Sequence, residues 1–314
     1  MVSRSLPARL AAAALLAALA LSLAACQRAG GPETSSPDMY SVNRQVQEGT
    51  DPQPGGADQS TPDPDQSVPG AGAPVPEEPQ QVQPQAPAYD FSQPAPQSEP
   101  VDNSYFDDAA FVGDSRTDGF MIYSGIGTGT NLTSNGLSIF KLEEKKALTI
   151  DGVEYTLLEA LALEQYGKVY LSLGVNELGY FDDQGFYDNY CKAIDEIRKL
   201  QPDAVIYIQG LIPLNEEQIA ATTGRTYLTN DHLRVYNDLM KQAAQEKQVV
   251  YLDLYSVFVD ENGALPAEGS HDGVHLSKEY CQRWLEYLKT HTVDFDTLYP
   301  GGVAGAEGDA AQTT

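Results

Sequence analysis

The sequence predicts an α/β domain, a three-layer, doubly wound parallel sheet of five strands, between residues 101 and 296. Short apolar runs alternate with longer segments whose apolar residues recur every three or four positions, as strands alternate with helices. This order favours a parallel sheet with helices on both faces, because each strand must return through a crossover helix. Polar motifs also follow three of the predicted strands, at the edge where ligands bind in such folds.

Five strands and five helices account for this domain. The strands are expected at residues 109–112, 137–140, 168–173, 204–208 and 249–254, where apolar and β-branched residues cluster between turn signals. The helices are expected at residues 157–165, 185–200, 231–245 and 277–291, with another beginning near Ser115. Right-handed crossovers give the strand order 2-1-3-4-5, the flavodoxin-like order. Cys191 and Cys281 then lie in helices on opposite faces, so both thiols are expected to stay free.

The start of the chain is expected to be a targeting segment. Residues 1–26 have a basic beginning and an Ala/Leu-rich run that ends in Leu-Ala-Ala-Cys, which resembles a bacterial lipobox. The resemblance implies a lipoprotein signal peptide cleaved before Cys26 and a lipid on its sulfur, which would anchor the chain to the outer face of a bacterial membrane. The alternative is an ordinary signal peptide, or an uncleaved span, with an incidental cysteine.

Composition also separates two other segments from the domain. Residues 27–100 hold fifteen of the chain's twenty prolines among Gln, Ser and Gly, and are expected to be a disordered tether. The Gly/Ala-rich residues 297–314 are expected to be a disordered tail. Residues 101–296 hold 32 acidic and 15 basic residues, a net charge of −17, which argues against nucleic acid or an anionic membrane surface as a partner and suits neutral or cationic substrates.

Three short motifs supply the groups that an acyl-transfer reaction needs. Ser115 follows the first strand, Asn176 follows the third, and Asp272 and His275 lie beyond the fifth. Ser115 is the expected nucleophile, His275 the base that takes its proton, and Asp272 the carboxylate that orients the imidazole. The Asn176 amide and the backbone N–H of Ser115 are expected to stabilise the oxyanion.

Each motif has a simpler interpretation that the sequence leaves open. Ser115 at a helix start could only cap that helix, and an asparagine after a glycine often occupies a turn. His271, Asp272 and His275 could together bind a metal, but no further Cys or His cluster completes a coordination shell. We therefore expect neither a metal nor a cofactor.

In order and spacing these motifs resemble the SGNH, or GDSL, family of serine esterases and lipases, across about residues 109–291. The family is named for Ser, Gly, Asn and His in four blocks, which fall here on Ser115, Gly136, Asn176 and His275. The resemblance implies an SGNH-hydrolase fold and Asp272 as the third member of the triad. It also implies an oxyanion hole formed by the N–H groups of Ser115 and Gly136 with the Asn176 amide.

Two residues depart from the family pattern. Arg116 stands where the family has the Leu of Gly-Asp-Ser-Leu, and Glu177 replaces the usual Asp that follows the asparagine. Neither takes part in the expected chemistry, so activity is not excluded, but the pocket is expected to differ in shape. Arg116 is expected either to bind an anionic substrate group or to pair with Asp114 or Asp118.

The sequence therefore predicts an extracytoplasmic serine esterase that hydrolyses small acyl esters through an acyl-enzyme, with an O-acetylated glycan as the expected substrate. Tyr123, Tyr180 and Phe181 are candidates for stacking on a sugar, or for ordinary packing at the rim. Residues 215–230 are expected to form one wall of the pocket. The alternatives are a non-catalytic binding lipoprotein with the same fold, and an acyltransferase or lipase that uses the same triad.

Overall fold

The computed structural model describes residues 88–303, so the predicted signal peptide, Cys26 and most of the predicted tether lie outside the described residues. Within them the strands are β1 (Ala109–Gly113), β2 (Thr130–Thr133), β3 (Leu148–Ile150), β4 (Val153–Tyr155), β5 (Lys168–Ser172), β6 (Val205–Gln209) and β7 (Val250–Leu252). Five of them form a parallel sheet in the order β2-β1-β5-β6-β7. This is the predicted order, so the doubly wound α/β fold is confirmed.

The helices of the described chain are α1 (Ser115–Tyr123), α2 (Leu157–Leu161), α3 (Asp183–Leu200), α4 (Glu216–Thr222), α5 (Asn230–Glu246), α6 (Leu254–Phe258), α7 (Lys278–Lys289) and α8 (Phe295–Leu298). Short 3₁₀ helices are formed by Asn103–Phe106, Ile139–Lys141, Val175–Glu177 and Ala267–Gly269. The helices α3, α5 and α7 begin and end within two residues of the predicted positions. Between residues 88 and 303, no helix combines the length and the apolar character needed to cross a bilayer.

Alternate residues of the central strands face the two helical layers, as the two-residue period of a strand requires. In β1, Val112 packs into a core shared with α2, α3 and α5, whereas Phe111 packs into a core shared with α1 and α7. Both faces of the sheet are therefore covered, which explains why the central strands are apolar along their length. Cys191 in α3 and Cys281 in α7 are buried and free, as predicted.

The second strand lies earlier in the chain than predicted. The predicted strand at residues 137–140 falls on a turn and on the 3₁₀ helix Ile139–Lys141. The Ser138 hydroxyl caps that helix by accepting a hydrogen bond from the Phe140 N–H at 3.2 Å. A short apolar run does not distinguish a strand from a buried turn, and β2 contains only Leu132 as a large aliphatic residue. The prediction at 137–140 is therefore wrong.

β3 and β4 form a hairpin that the prediction did not include. Asp151 and Gly152 connect the strands with φ of +52° and +81°. A two-residue turn with both central residues at positive φ matches the twist of a hairpin, and Asp-Gly is a characteristic sequence for it. This pair is the signal that identifies the hairpin from sequence.

The domain begins before residue 101. Residues 88–101, the N-terminal strap, lie against the edge of the sheet and the end of α7. The Ala95 N–H donates to the Tyr251 carbonyl of β7 at 2.8 Å, and the Ser98 N–H donates to the Thr290 carbonyl at 2.7 Å. The strap thus covers part of the β7 edge. The predicted tether boundary at residue 100 is corrected, because backbone hydrogen bonds fix a segment whose Pro-rich composition indicated disorder.

The domain also continues past residue 296. Tyr299, which follows α8, is buried. Its hydroxyl donates to the Gln248 carbonyl at 2.5 Å and accepts from Arg198 Nη2 at 2.8 Å. The tail predicted to begin at residue 297 is therefore corrected, since the segment up to Tyr299 is packed against the domain.

Candidate active site

The structure brings Ser115, His275 and Asp272 together at the carboxyl edge of the sheet. Ser115 is the first residue of α1, directly after β1. Its Oγ lies 2.8 Å from His275 Nε2, and His275 Nδ1 lies 2.7 Å from Asp272 Oδ2. With a proton on Nδ1 donated to the carboxylate, Nε2 is free to accept the Ser115 hydroxyl proton. This is the arrangement of a serine nucleophile, a general base and an orienting carboxylate.

The Asp272 carboxylate is held in its ionised form. Burial opposes ionisation, but hydrogen bonds from the His275 ring, the His275 N–H and the Val274 N–H outweigh it and lower the pKa of Asp272 to about 2. The two backbone bonds measure 2.8 and 2.9 Å. A carboxylate that remains charged at neutral pH favours the imidazolium that forms when His275 takes a proton.

The loop that carries Asp272 and His275 is braced by the segment before α4. Gly273 has φ of +85°, and a Cβ there would lie 2.3 Å from the Asn215 carbonyl oxygen. The Asn215 N–H donates back to the Gly273 carbonyl at 2.9 Å. Residues 215–230, predicted as a pocket wall, thus begin by supporting the loop that carries Asp272 and His275. No local pattern reveals this contact, because its two residues are far apart in sequence.

His271 is the remaining side chain of the alternative metal site. It is exposed, whereas both ring nitrogens of His275 are hydrogen-bonded to Ser115 and Asp272. Among residues 88–303, no group of three or more His, Cys, Asp and Glu side chains is arranged to hold a metal ion.

Asp114 connects the nucleophile to Asn176. Its Oδ1 caps α1 by accepting from the Arg116 N–H at 2.9 Å, and its Oδ2 accepts from Asn176 Nδ2 at 3.2 Å. Asn176 Nδ2 also donates to the Leu137 carbonyl at 2.9 Å. Burial raises the pKa of Asp114 to about 6, although the Arg116 N–H and guanidinium act against it. Both amide hydrogens of Asn176 have acceptors, so donation to an oxyanion would draw on the longer bond to Asp114.

Gly136 lies in an exposed turn immediately before Leu137, the residue whose carbonyl binds the Asn176 amide. Its φ is +69°, and a Cβ at this position would meet no atom within 4 Å. The backbone conformation, rather than space, therefore favours glycine at this position. The Ser115 N–H lies in the first turn of α1, where N–H groups lack acceptors within the helix. Roles for both N–H groups in an oxyanion hole remain predictions.

Glu177, the residue after Asn176, is fully buried. Its Oε1 accepts a hydrogen bond from the Ile139 N–H, while Oε2 has no hydrogen-bond partner among the described residues. Burial raises the pKa of Glu177 to about 8, so the carboxyl is largely neutral at pH 7. Glu177 thereby fastens the segment after Gly136 to the loop after β5, a role that its sequence position did not indicate.

Arg116 points into the protein and not into the site. It is buried, with Nη1 donating to the Ile212 carbonyl at 2.9 Å and Nη2 to the Pro213 carbonyl at 3.5 Å. Burial lowers its pKa to about 10, so it stays charged at neutral pH. The expectation that Arg116 binds an anionic substrate group is corrected, because its guanidinium is used to join α1 to the segment before α4.

The structure separates the three aromatic residues suggested for sugar stacking. Tyr123 is the last residue of α1, eight residues beyond Ser115, which places it about 12 Å away along the helix axis. Tyr180 and Phe181 follow Asn176 in the loop before α3, and both side chains are exposed. Of the three, Tyr180 and Phe181 are therefore the ones that directly follow a candidate site residue in a loop.

A comparison with protein families matches residues 111–283 to the model of the GDSL-like lipase/acylhydrolase family. The match covers more than half of the chain, from β1 into α7, and includes all three motifs. No curated protein matches the sequence.

Several solved structures are similar to this chain. A Streptococcus pneumonia protein provisionally described as a platelet activating factor is 23% identical, with a TM-score of 0.47, over 61% of this chain and 84% of that one. A GDSL-like lipase from Bacteroides thetaiotaomicron is 14% identical, with a TM-score of 0.43, over 60% and 88%. The periplasmic domain of the lipopolysaccharide acetyltransferase from Salmonella ser. Paratyphi A is 18% identical, with a TM-score of 0.41, over 58% and 82%. These identities are too low to transfer a substrate.

Proposed function

The chain belongs to the GDSL-like lipase/acylhydrolase family, and we propose that it is a serine esterase that hydrolyses small acyl esters, O-acetyl groups above all. The observation that carries the proposal is the continuous hydrogen-bonded chain from Ser115 Oγ through His275 to Asp272, with contacts of 2.8 and 2.7 Å. Such a chain activates a hydroxyl that is otherwise a weak nucleophile.

In the proposed first half-reaction, Ser115 Oγ attacks the ester carbonyl as its proton moves to His275 Nε2. The tetrahedral oxyanion is stabilised by the Ser115 N–H, with the Gly136 N–H and the Asn176 amide as the other expected donors. Collapse breaks the bond to the leaving alcohol, which takes the proton from His275, and the acyl group stays on Ser115. Asp272 remains ionised throughout and stabilises the transient imidazolium.

In the second half-reaction, His275 takes a proton from a water that attacks the acyl-enzyme. The tetrahedral intermediate collapses, Ser115 regains its proton from His275, and a carboxylic acid leaves. The His275 side chain is about half exposed, at 52%, so water reaches the base directly. The same exposure would admit an acceptor alcohol in place of water. Hydrolysis gives a carboxylic acid and acyl transfer gives a new ester, so product analysis with added alcohols separates the two reactions.

A small acyl group fits the polar character of the site. The groups around Ser115 are the carboxyl groups of Asp114 and Asp272, the Asn176 amide and the His275 imidazole. A long acyl chain needs extended apolar contact to offset its hydration, whereas an acetyl group needs little. This supports a short acyl ester over a lipid as the substrate.

We also propose that the enzyme acts outside the cytoplasm, anchored to the outer face of a bacterial membrane through a lipid on Cys26. The support is the sequence before that residue, a basic start and an apolar run that ends in small residues. Mass spectrometry of the mature N-terminal peptide tests the anchor. A lipid-modified Cys26, and release of a Cys26→Ser variant from the membrane fraction, are expected, whereas an unmodified cysteine within an intact leader would contradict it.

The catalytic proposal is tested by treating the protein with a fluorophosphonate probe and locating the adduct by mass spectrometry. Labelling of Ser115 is expected, and it should vanish in Ser115→Ala and His275→Ala. Folding of each variant is checked by circular dichroism. A folded wild-type protein that takes up no probe, and hydrolyses no p-nitrophenyl acetate, would instead favour a non-catalytic binding protein.

A further inference from the structure

Two neighbouring aromatic side chains beside the site are unusually exposed. Tyr180 is 63% exposed and Phe181 is 73% exposed, the two largest values among the exposed large hydrophobic side chains of residues 88–303. They lie in the loop between the 3₁₀ helix Val175–Glu177 and α3. We call this pair the aromatic shelf. Apolar surface presented to water in this way commonly marks a binding site.

The backbone of the shelf carries strain as well. Phe181 has φ of +53°, in the left-handed region that bulky residues rarely adopt. That conformation is less stable than the right-handed region, because it brings Cβ close to the following carbonyl oxygen. Strain of this kind persists where the surrounding structure holds it, and it concentrates at functional sites. Phe181 therefore lowers the stability of the folded protein in two ways, through its exposed apolar ring and through its strained backbone.

The shelf is held in place by α5. His232 Nδ1 is 2.9 Å from the Leu178 carbonyl and its Nε2 is 2.8 Å from Asp183 Oδ1, so one side chain holds both ends of the loop. The Phe181 ring lies parallel to the His232 ring, at 5.4 Å between centroids and 2° between planes. The Tyr180 ring packs against the Phe140 ring, with 5.4 Å between their centroids. Because the rings are fixed in advance, a ligand would lose little by ordering them.

The shelf lies on the Asn176 side of the site. The Tyr180 N–H donates to the Glu177 carbonyl at 2.9 Å, so the chain makes one tight turn between Asn176 and the shelf. Four residues of such a turn advance about 8 Å. That distance is close to the size of one or two pyranose rings, so a sugar bearing an ester at Ser115 could extend over the shelf.

We propose that the aromatic shelf binds the pyranose rings of a neutral glycan whose ester group enters the site. This inference rests on the proposed esterase function and names its substrate class. The apolar C–H face of such a ring stacks on the negative face of an aromatic ring. Asp182 and Asp183 follow the shelf directly, and their carboxylates disfavour an anionic polymer or an anionic lipid headgroup. Two flat rings open to solvent also suit sugar rings better than an acyl chain.

The kinetic test compares two substrates, p-nitrophenyl acetate and an O-acetylated tetramer of β-1,4-linked N-acetylglucosamine. In Tyr180→Ala and Phe181→Gly, kcat/KM for the tetramer is expected to fall at least tenfold, mainly through KM. For p-nitrophenyl acetate it is expected to stay within twofold of wild type. Phe181→Gly also relieves the positive φ, which offsets part of the stability lost with the ring contact to His232, and folding of this variant is checked by circular dichroism. Tyr123→Ala, which removes a half-exposed tyrosine remote from the site, is the matched control.

A binding test separates this inference from the esterase proposal. Saturation-transfer NMR measures binding of the unacetylated tetramer to Ser115→Ala, with and without Tyr180→Ala or Phe181→Gly. Binding that only the shelf substitutions remove supports the shelf, even if the wild-type protein has no esterase activity. The inference would be overturned if the tetramer did not bind to Ser115→Ala. It would also be overturned if the shelf variants lost activity equally on both substrates, or if their kcat/KM for the tetramer equalled that of Tyr123→Ala. Each of these results leaves the esterase proposal standing.

Discussion

Replacing Glu177 with glutamine is expected to remove much of the pH dependence of the domain's stability between pH 5 and 8. Burial raises the pKa of Glu177 to about 8 from the ordinary value of 4.5. Between these values the folded protein keeps a proton that the unfolded chain has released. Because the unfolded state binds fewer protons, the free energy of unfolding falls as pH rises. The loss begins above pH 4.5 and is nearly complete once pH passes about 8.

The pKa of Glu177 rises from 4.5 in the unfolded chain to about 8 in the folded protein. At about 1.4 kcal/mol for each pH unit, the free energy of unfolding falls by on the order of 4 kcal/mol by pH 8. Glutamine cannot ionise, and its Oε1 can still accept from the Ile139 N–H. The amide has two N–H donors where the neutral carboxyl has one O–H, at a position where Oε2 has no partner among the described residues, and one additional unpartnered buried donor costs about 1–3 kcal/mol. Glu177→Gln is therefore expected to be less stable than wild type at pH 5 and more stable at pH 8.

Urea unfolding at pH 5, 6.5 and 8 measures the effect, and thermal unfolding should show it as well. A change of 1 kcal/mol shifts the midpoint of a domain of this size by about 2–4 °C. The wild-type midpoint is thus expected to fall by roughly 10 °C relative to the variant between pH 5 and 8. Glu154→Gln, on the exposed strand β4, removes the same charge from the surface and is the control. Parallel stability profiles for wild type and Glu177→Gln would refute the reasoning.

Three further changes test the site and the domain boundary. Asp272→Asn removes the charge that stabilises the imidazolium, so kcat for p-nitrophenyl acetate is expected to fall about 10³–10⁴-fold; a loss below tenfold contradicts the proposed role. Gly273→Ala would place a Cβ 2.3 Å from the Asn215 carbonyl, so differential scanning calorimetry should show a lower midpoint, accompanied by lower activity. Deleting residues 88–101 removes backbone hydrogen bonds to β7 and to the residue after α7. That deletion should lower the melting temperature by several degrees. An unchanged melting temperature would instead support a domain that begins at residue 101.

The features that the sequence predicted best are those that depend on the sheet alone. Parallel strands end at the same edge, so residues that follow β1, β5 and β7 must approach one another once the strand order is known. The order follows from strand–helix alternation and right-handed crossovers. For this reason the sequence alone predicts that Ser115, Asn176 and the Asp272–His275 loop lie near one edge of the sheet.

The features that the sequence did not reveal depend on contacts between distant residues. Glu177 looks like a surface acid in sequence, and its burial results from Ile139 and Tyr236 arriving from other elements. Arg116 likewise looks like a substrate-binding cation, yet its partners are the carbonyls before α4. The strap is fixed by backbone groups of β7, which no side-chain pattern reports. Local composition cannot encode such long-range partners.

The three acidic residues at the site differ in pKa in a way that suits the proposed catalysis. The pKa of Asp272 is lowered to about 2, that of Asp114 is raised to about 6 and that of Glu177 is raised to about 8. A full negative charge is useful at Asp272, where it stabilises the imidazolium, but it would repel an oxyanion next to Asn176. A neutral Glu177, adjacent to Asn176 in the chain, adds no such repulsion, and buried Arg116 compensates the charge of Asp114. A buried glutamic acid at this position is therefore compatible with an oxyanion hole, because it accepts the hydrogen bond from the Ile139 N–H and adds little negative charge at pH 7.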